Sequence, residues 1–102
     1  MSDDQHSISI ANGNLYINHS LYETYFPKIE SVILLNKSPE FLIMPVQQAG
    51  AGGLLMKIKN SRGDRVISIL EFLESNGIEI LEERTIPVKW SSSDAALVFC
   101  IL

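Results

Sequence analysis

The sequence predicts a single α+β domain with a small, mostly antiparallel sheet or barrel and two short helices. Three observations support this fold class. Residues 54–59 have the two-residue period of a half-buried strand and lead through a turn into a second strand, which is typical of a hairpin. The apolar runs 31–35 and 41–46 flank a turn-forming segment and predict another hairpin. Residues 8–46 and 54–102 present a similar order of elements, which indicates an internal tandem βαββ repeat.

The length, amino-acid composition and net charge of the chain limit the classes of protein to which it can belong. The chain has 102 residues, of which 46% are hydrophobic and 20% charged, and this balance predicts one folded domain over residues 1–102, with residues 1–6 as a flexible tail. A net charge of -4 disfavours nucleic acid as a partner, because Lys and Arg supply most of that affinity. The acidic N-terminus lacks a signal-peptide pattern, and no apolar run approaches the roughly 20 residues of a membrane span. We therefore expect a cytoplasmic protein with no membrane contact.

The first strands follow from alternation, apolar runs and turn residues. Residues 7–10 alternate, Asn12-Gly13 is a strong hairpin signal, and residues 15–17 supply the return strand. The runs 31–35 and 41–46 are continuously apolar instead. Continuous apolarity predicts strands that are covered on both faces.

Two helices are predicted from their end signals. Residues 20–23 and 68–71 both read Ser-x-x-Glu, the capping box in which the Ser side chain accepts a hydrogen bond from the first turn. Pro27 ends the first helix, since proline cannot continue it. Asn76-Gly77 is a common C-terminal stop for the second helix.

Between the predicted halves, residues 47–53 form a flexible connector that leads into the central hairpin. Alternation places Leu54, Met56 and Ile58 on one face of the following strand, and residues 60–63 concentrate turn formers. This hairpin is the central element of the predicted fold.

The last third of the chain is predicted to be extended. Residues 78–81 suggest a short strand, and Pro87 places the strand at 86–90 on an edge, where a missing amide donor is tolerated. Residues 96–102 form the last strand, in which Cys100 is a buried small hydrophobe. An apolar final strand of this kind is suited to pairing across an interface.

Half of the basic residues concentrate in the central hairpin, where Lys57, Lys59, Arg62 and Arg65 have only Asp64 as an acidic neighbour. Such a patch could meet phosphates or an acidic protein surface. The alternative is that these side chains form the solvated face and tip of a hairpin, with lysine also protecting an edge from aggregation. We treat the four residues as the candidate partner- or anion-binding site.

No catalytic, cofactor or metal site is predicted. His6 and His19 have no neighbouring ligands at metal-binding spacing, and the single cysteine excludes an intramolecular disulfide. An enzyme assembled from Cys100, His19, Ser92 and Asp94 is a remaining alternative, but nothing near these residues in the sequence activates them.

Residues 13–21, followed by the helix and the hairpin at 32–46, resemble the AbrB-like and MraZ-like swapped-hairpin regulators. The unit of that family is a strand, a short helix and a β-hairpin. The resemblance implies that two such units, here spanning residues 8–102, interlock into one barrel. It also implies a barrel that presents Arg and Lys to DNA.

Two functions follow from these observations. The first is a small non-catalytic accessory or protein-interaction module that binds another protein or associates with itself. The alternative is an AbrB-like DNA-binding transcriptional regulator acting through Lys57, Lys59, Arg62 and Arg65. Salt dependence separates them, because phosphate contacts weaken steeply as salt rises.

Overall fold

A computed structural model describes residues 6–47 and 52–101. This part of the chain contains nine strands and two short helices. In chain order they are β1 His6–Ala11, β2 Asn14–Ile17, α1 His19–Tyr25, β3 Ser31–Lys37, β4 Glu40–Pro45, β5 Leu54–Leu55, β6 Lys57–Ile58, β7 Arg65–Ser68, α2 Leu70–Ser75, β8 Arg84–Ser91 and β9 Ala96–Phe99.

The strands form a nearly closed antiparallel barrel. Their order is β5-β3-β4-β9-β8-β1-β2-β7-β6, and every pairing among the described strands is antiparallel. The two ends of this order, β5 and β6, are consecutive pieces of residues 54–58, so one segment joins both ends of the sheet. The prediction of a small, mostly antiparallel sheet or barrel with two short helices is confirmed, and of the two alternatives the structure has a nearly closed barrel.

Alternate residues of each strand fill the interior of the barrel. Ile8 and Ile10 on β1 and Leu15 and Ile17 on β2 are buried, whereas their sequence neighbours face outward. The helix α1 lies against the same core through Leu21 and Tyr22, with Phe26 at its C-cap, and α2 does so through Leu73. Each apolar side chain removed from water in this way stabilises the fold by about 1.5–3 kcal/mol.

The first hairpin is confirmed, including its turn. Asn12 and Gly13 both have positive φ, at 52° and 77°, as a two-residue type I′ turn requires. The carbonyl of Gly13 accepts a hydrogen bond from the amide of Ile69 at 2.8 Å. This bond ties the turn to the residue that precedes α2.

Neither predicted capping box forms. The cap of α1 is Asn18, whose Oδ1 accepts from the amide of Leu21 at 2.8 Å, so the helix begins before Ser20 can cap it. Ser68 is paired with Asn14 in the ladder between β7 and β2 and is therefore extended. Ile69 stands at the N-cap of α2 instead.

The predicted ends of both helices are confirmed. Pro27 follows α1 by two residues. The segment after α2 turns away at Gly77, which has a φ of 67° and so takes the left-handed conformation that glycine adopts without strain.

The second hairpin forms, but its strands are not covered equally. Phe41, Leu42 and Ile43 on β4 are all buried, as continuous apolarity predicted. On β3 that prediction is wrong, since Ile33 and Leu35 are 43% and 39% exposed. The interior of the barrel takes only alternate residues of β3, and the others lie on its outer surface.

The central hairpin is shorter than predicted because its first strand is divided. β5 pairs with β3, β6 pairs with β7, and Met56 between them is buried, with its amide donating to the carbonyl of Glu30 at 2.8 Å. The break interrupts the predicted alternation, and Ile58, predicted on one face with Leu54 and Met56, is 66% exposed whereas Met56 is buried.

The last third also departs from prediction. Residues 78–81 are irregular, and β8 lies inside the sheet between β1 and β9. Pro87 is aligned with Ser7 of β1 but lies outside the pairing of β8 with β9, which covers residues 89–91, so on that side no partner strand needs its amide. The strand β9 lies between β4 and β8 and is no free edge, and Cys100 beyond it is exposed, contrary to prediction.

The predicted tail and connector fall mainly outside the described residues. His6, the last residue of the expected tail, is the first residue of β1. Residues 1–5, residues 48–51 of the connector and Leu102 are not described.

Candidate functional site

The turn of the central hairpin is built by two polar side chains. Asn60 Oδ1 accepts from the amides of Arg62 and Asp64, and Asn60 Nδ2 donates to Asp64 Oδ2 at 3.0 Å. Gly63 between them has a φ of 94°, and a Cβ placed there would lie 2.6 Å from Nδ1 of His19. The turn therefore requires glycine and contacts the first residue of α1.

Asp64 connects this turn to α1. Its Oδ1 accepts from the amide of His19 at 2.8 Å, and its Oδ2 accepts from Asn60 and Arg62. The hydrogen bond from Asn60, then that from His19, lowers the pKa of Asp64 from 3.8 to about 2, with the Arg62 charge adding to the effect. The carboxylate is thus held ionised as a structural acceptor.

The four predicted site residues lie on this hairpin, and three of them have partners within the chain. Lys59 Nζ lies 4.4 Å from the ring centroid of Tyr16, and the Arg65 guanidinium lies 4.0 Å from that of Tyr22. Arg62 forms an ion pair with Asp64 at 3.1 Å. Lys57 is exposed on β6. These contacts stabilise the hairpin and hold part of its positive charge against the barrel.

One strand face outside the barrel is apolar. Cross-strand pairing aligns Leu35 with Leu42 and Leu42 with Val98, and the same face continues through the pair of Ile33 with Met44. The pair of Ser31 with Leu55 extends it to β5, where Leu55 is 60% exposed. We call this surface the outer apolar face; it comprises Ile33, Leu35, Leu42, Met44, Leu55 and Val98.

The neighbouring strands present a different surface. Outward-facing positions of β1 and β8 are aligned as Ser7 with Pro87 and Ser9 with Thr85, and Ser9 also pairs with Tyr16 on β2. Ser7, Ser9 and Tyr16 line a shallow cleft of about 180 Å³ together with Lys59 and Asp64. We call Ser7, Ser9, Tyr16, Thr85 and Pro87 the outer polar face.

An apolar groove lies between α2 and the irregular segment that follows it. Its volume is about 320 Å³. Leu70 and Leu73 of α2 and Ile78 and Ile80 of the segment line it. Exposed Glu74 and Glu79 add negative charge, and the complete lining is Gly13, Leu70, Leu73, Glu74, Gly77, Ile78, Glu79 and Ile80. We call this the acidic groove.

A larger cleft of about 560 Å³ lies between the β3–β4 turn and the segment after α2. Asn36 Nδ2 donates to Asn76 Oδ1 across it at 2.6 Å, and Arg84 donates to the carbonyl of Ile101 at 2.6 Å. These two hydrogen bonds join elements on different sides of the cleft.

Two of the residues considered for catalysis make contacts within or against turns of the fold. His19 lies against Gly63, and Asp94 accepts from Ser91 Oγ at 2.8 Å within the turn between β8 and β9. Within residues 6–47 and 52–101, no group of three or more His, Cys, Asp or Glu side chains could hold a metal ion. No helix in these ranges is long and apolar enough to span a membrane.

The outer apolar face and the acidic groove were missed by the sequence analysis. The apolar run at 31–35 is the signal for the first, but continuous apolarity predicts burial on both faces. The pattern at residues 78–81 predicts a strand, whereas Ile78 and Ile80 line a groove.

Comparison with known proteins identifies no relative: the chain matches no protein-family model, no curated protein and no solved structure. Function is therefore inferred from the surfaces of the molecule.

Proposed function

We propose that this chain is a non-catalytic protein-interaction module and that a protein partner binds its outer apolar face. The observation that carries the proposal is the contrast between two strands of one barrel. On β3 the outward side chains include Ile33 and Leu35, whereas on β8 they include Pro87 and Lys89. A soluble barrel needs no apolar side chains on its outside, and a contiguous exposed apolar patch marks an interaction site.

The free energy that burial of these side chains would contribute is large enough to support binding. Ile33, Leu35 and Leu55 retain 43%, 39% and 60% exposure, and complete burial of an aliphatic side chain contributes about 1.5–3 kcal/mol. Leu42, aligned with Leu35 and Val98, is only 3% exposed. The gain from a partner would therefore come mainly from the exposed side chains Ile33, Leu35 and Leu55.

Site-specific photocrosslinking tests this proposal. A benzoylphenylalanine at Leu35 should crosslink a defined protein in cells that express the chain, and the same probe at exposed Thr85 on the outer polar face should not. The crosslinked protein is then purified and titrated by calorimetry. We expect Ile33→Ser to weaken its binding by about tenfold and Thr85→Ala to leave it unchanged. Equal products at both positions, or none at Leu35, would contradict the proposal.

A second candidate is the AbrB-like DNA-binding regulator, and the pattern of strand pairing favours it. β1 pairs with β2 and β8; the segment containing β5 and β6 pairs with β7 and β3. β2 pairs with β7, β4 with β9, β3 with β4 and β8 with β9. If each strand of residues 8–46 is replaced in this list by its counterpart in residues 54–102, and the reverse, the same strand pairs result. This symmetry supports a tandem βαββ repeat with two interlocked units.

Charge weighs against DNA as the partner. The net charge is -4, and Lys59, Arg62 and Arg65 have partners within the chain. Amide NMR with random-sequence duplex DNA separates the two functions. Shifts over residues 57–65 that fade between low and physiological salt would favour the regulator. Amide chemical shifts that do not change at either salt concentration would leave the protein-interaction module as the remaining function.

A further inference from the structure

We propose that the protein partner binds by strand addition: an extended segment of the partner pairs with β3 on the side that faces away from β4. We call this side of residues 33–37 the open edge. The segment contains an acidic residue followed by apolar residues two and four positions later. This inference rests on the proposed function, because it specifies how a partner reaches the outer apolar face.

The open edge begins where β5 ends. Of the described strands, only β5 pairs with β3 on this side, and it does so at Ser31 and Val32 alone. Gly52 and Gly53, directly before β5, have φ of 94° and 103°, which extended strands do not adopt. Ser31 Oγ donates to the carbonyl of Gly52 at 3.2 Å. The chain is therefore held at the start of β3 when it enters β5.

Backbone hydrogen bonds show which groups the open edge offers. The carbonyl of Ser31 accepts from the residue that follows β4 at 3.0 Å, and the carbonyl of Glu30 accepts from the residue that follows β5 at 2.8 Å. Because consecutive residues of a strand direct their backbone groups to opposite sides, Leu34 and Asn36 direct theirs to the same side as Glu30. The amides and carbonyls of these two residues have no partner strand in the described part of the chain.

These backbone groups select an extended chain as the occupant. An unpaired strand edge is a template for another strand, whose own amides and carbonyls repeat at the same spacing. Residues 35–40 are all exposed, so the end of the hairpin formed by β3 and β4 projects from the barrel. The added strand lies about 4.8 Å from β3 in this arrangement.

The side chains beside the edge select the sequence of the added strand. Alternation from buried Val32 places Ile33, Leu35 and Lys37 on the outer side of β3. Directly opposite residues of neighbouring strands share a side of the sheet. Apolar residues opposite Ile33 and Leu35 therefore extend the outer apolar face and cover side chains that are 43% and 39% exposed.

Lys37 adds a charge at the end of the edge. Its Nζ lies 3.9 Å from Asp94 Oδ1, and its side chain is still 62% exposed. A carboxylate opposite Lys37 complements this charge. Every pairing among the described strands is antiparallel, and in that orientation the residue opposite Lys37 comes first in the added strand.

Amide hydrogen exchange of the free chain tests whether the edge is open. The amides of Leu34 and Asn36 should exchange rapidly, whereas those of Ile33 and Leu35, directed toward β4, should be protected. Protection of Leu34 and Asn36 in the monomer would overturn the proposal. Protection that appears only as the concentration of the chain rises would assign the edge to a second copy and overturn it as well.

The peptide Glu-Thr-Val-Thr-Val-Thr, acetylated and amidated at its ends, is the probe for binding. It should protect the amides of Leu34 and Asn36, and a version N-methylated at every amide should not. Replacing its Glu by Lys should weaken binding by about twofold, the effect of an exposed ion pair. Lys37→Glu should reverse this preference, and Lys89→Glu, an equal charge change on β8, should not. Absence of binding, or equal binding of the N-methylated peptide, would overturn the proposal.

Two substitutions at one position test the backbone contact directly. Asn36→Pro removes an amide that β4 does not use, and Asn36→Ala keeps this amide while it removes the same side-chain bonds to Ser38 and Asn76. We expect the peptide to bind Asn36→Pro about tenfold more weakly than Asn36→Ala. Equal affinity would reject strand addition. A protein captured at Leu35 that binds both variants equally would also reject it and leave the proposed function standing.

Discussion

Strands β3 and β8 hold corresponding places in the barrel but differ on their outer sides. Each forms a hairpin with the next strand and pairs on its other side with an early strand of the opposite half. Their inward residues are alike, with Val32 on β3 and Val88 on β8 both buried. Their outward residues are not: Leu35 is apolar and Lys89 is charged. The barrel therefore constrains the residues on its inner side, whereas the residues on its outer side differ in polarity from strand to strand.

The largest expected effect tests the inner half of this comparison. Val32→Ala and Val88→Ala each remove two buried methyl groups and leave a cavity, so each should lower the free energy of unfolding by about 2 kcal/mol. Urea denaturation measures both. A cost several times larger for one strand than for the other would show that the two positions are not equivalent in packing.

A smaller effect is expected where the two helices differ. Asn18 caps α1 through its side chain, whereas Ile69 precedes α2 with a side chain that has no oxygen. Asn18→Ala should therefore destabilise the protein by about 1 kcal/mol in urea denaturation. Asn18→Ser retains a capping oxygen and should stay close to the wild type. Equal losses in both variants would reject the capping role.

The two hairpin turns differ in charge, and this difference predicts that the stability of the fold depends on pH. Asn14 follows Gly13 in the first turn, and Asp64 follows Gly63 in the second. Because the pKa of Asp64 falls from 3.8 to about 2 on folding, its stabilisation is complete above pH about 4 and is lost as the pH falls toward 2. Asp64→Asn should reduce the loss of stability over this range. Parallel curves for both proteins from pH 4 to 2 would contradict the assignment.

The smallest expected effect concerns the outer residues of β3 and β8. Leu35→Ser and Lys89→Ser should each change the free energy of unfolding by less than about 0.5 kcal/mol, because neither side chain lies in the interior. Partner binding should respond to Leu35→Ser alone. A large loss of stability from Leu35→Ser would mean that the outer apolar face serves folding and would break the comparison.

Local signals in the sequence were enough to predict the hairpins and an antiparallel sheet or barrel. Asn12-Gly13 specifies its turn through positive φ, and the alternation of Ile8 with Ile10 specifies the inner face of β1. These features depend on backbone preferences and side-chain period, which neighbouring residues determine.

Features that depend on distant residues could not be predicted. Ser68 lost its predicted capping role because β2 pairs with it, and Ile58 became exposed because Met56 is anchored to Glu30. Ile33 and Leu35 are exposed or buried according to whether another element covers the outer side of β3. The apolar character of the two residues does not reveal whether such an element is present. The candidate site was predicted only as a set of charges on one hairpin, without their partners Tyr16 and Tyr22.

The pairing of β1 with β8 has a consequence for the order of folding. His6 pairs with Val88, so the first described strand joins a strand made much later in synthesis. Until β8 emerges, one edge of β1 has no partner, and contacts between such distant residues form slowly. The growing chain is therefore exposed to pairing with another nascent copy through that edge, and a chaperone that covers it should raise the yield of folded protein.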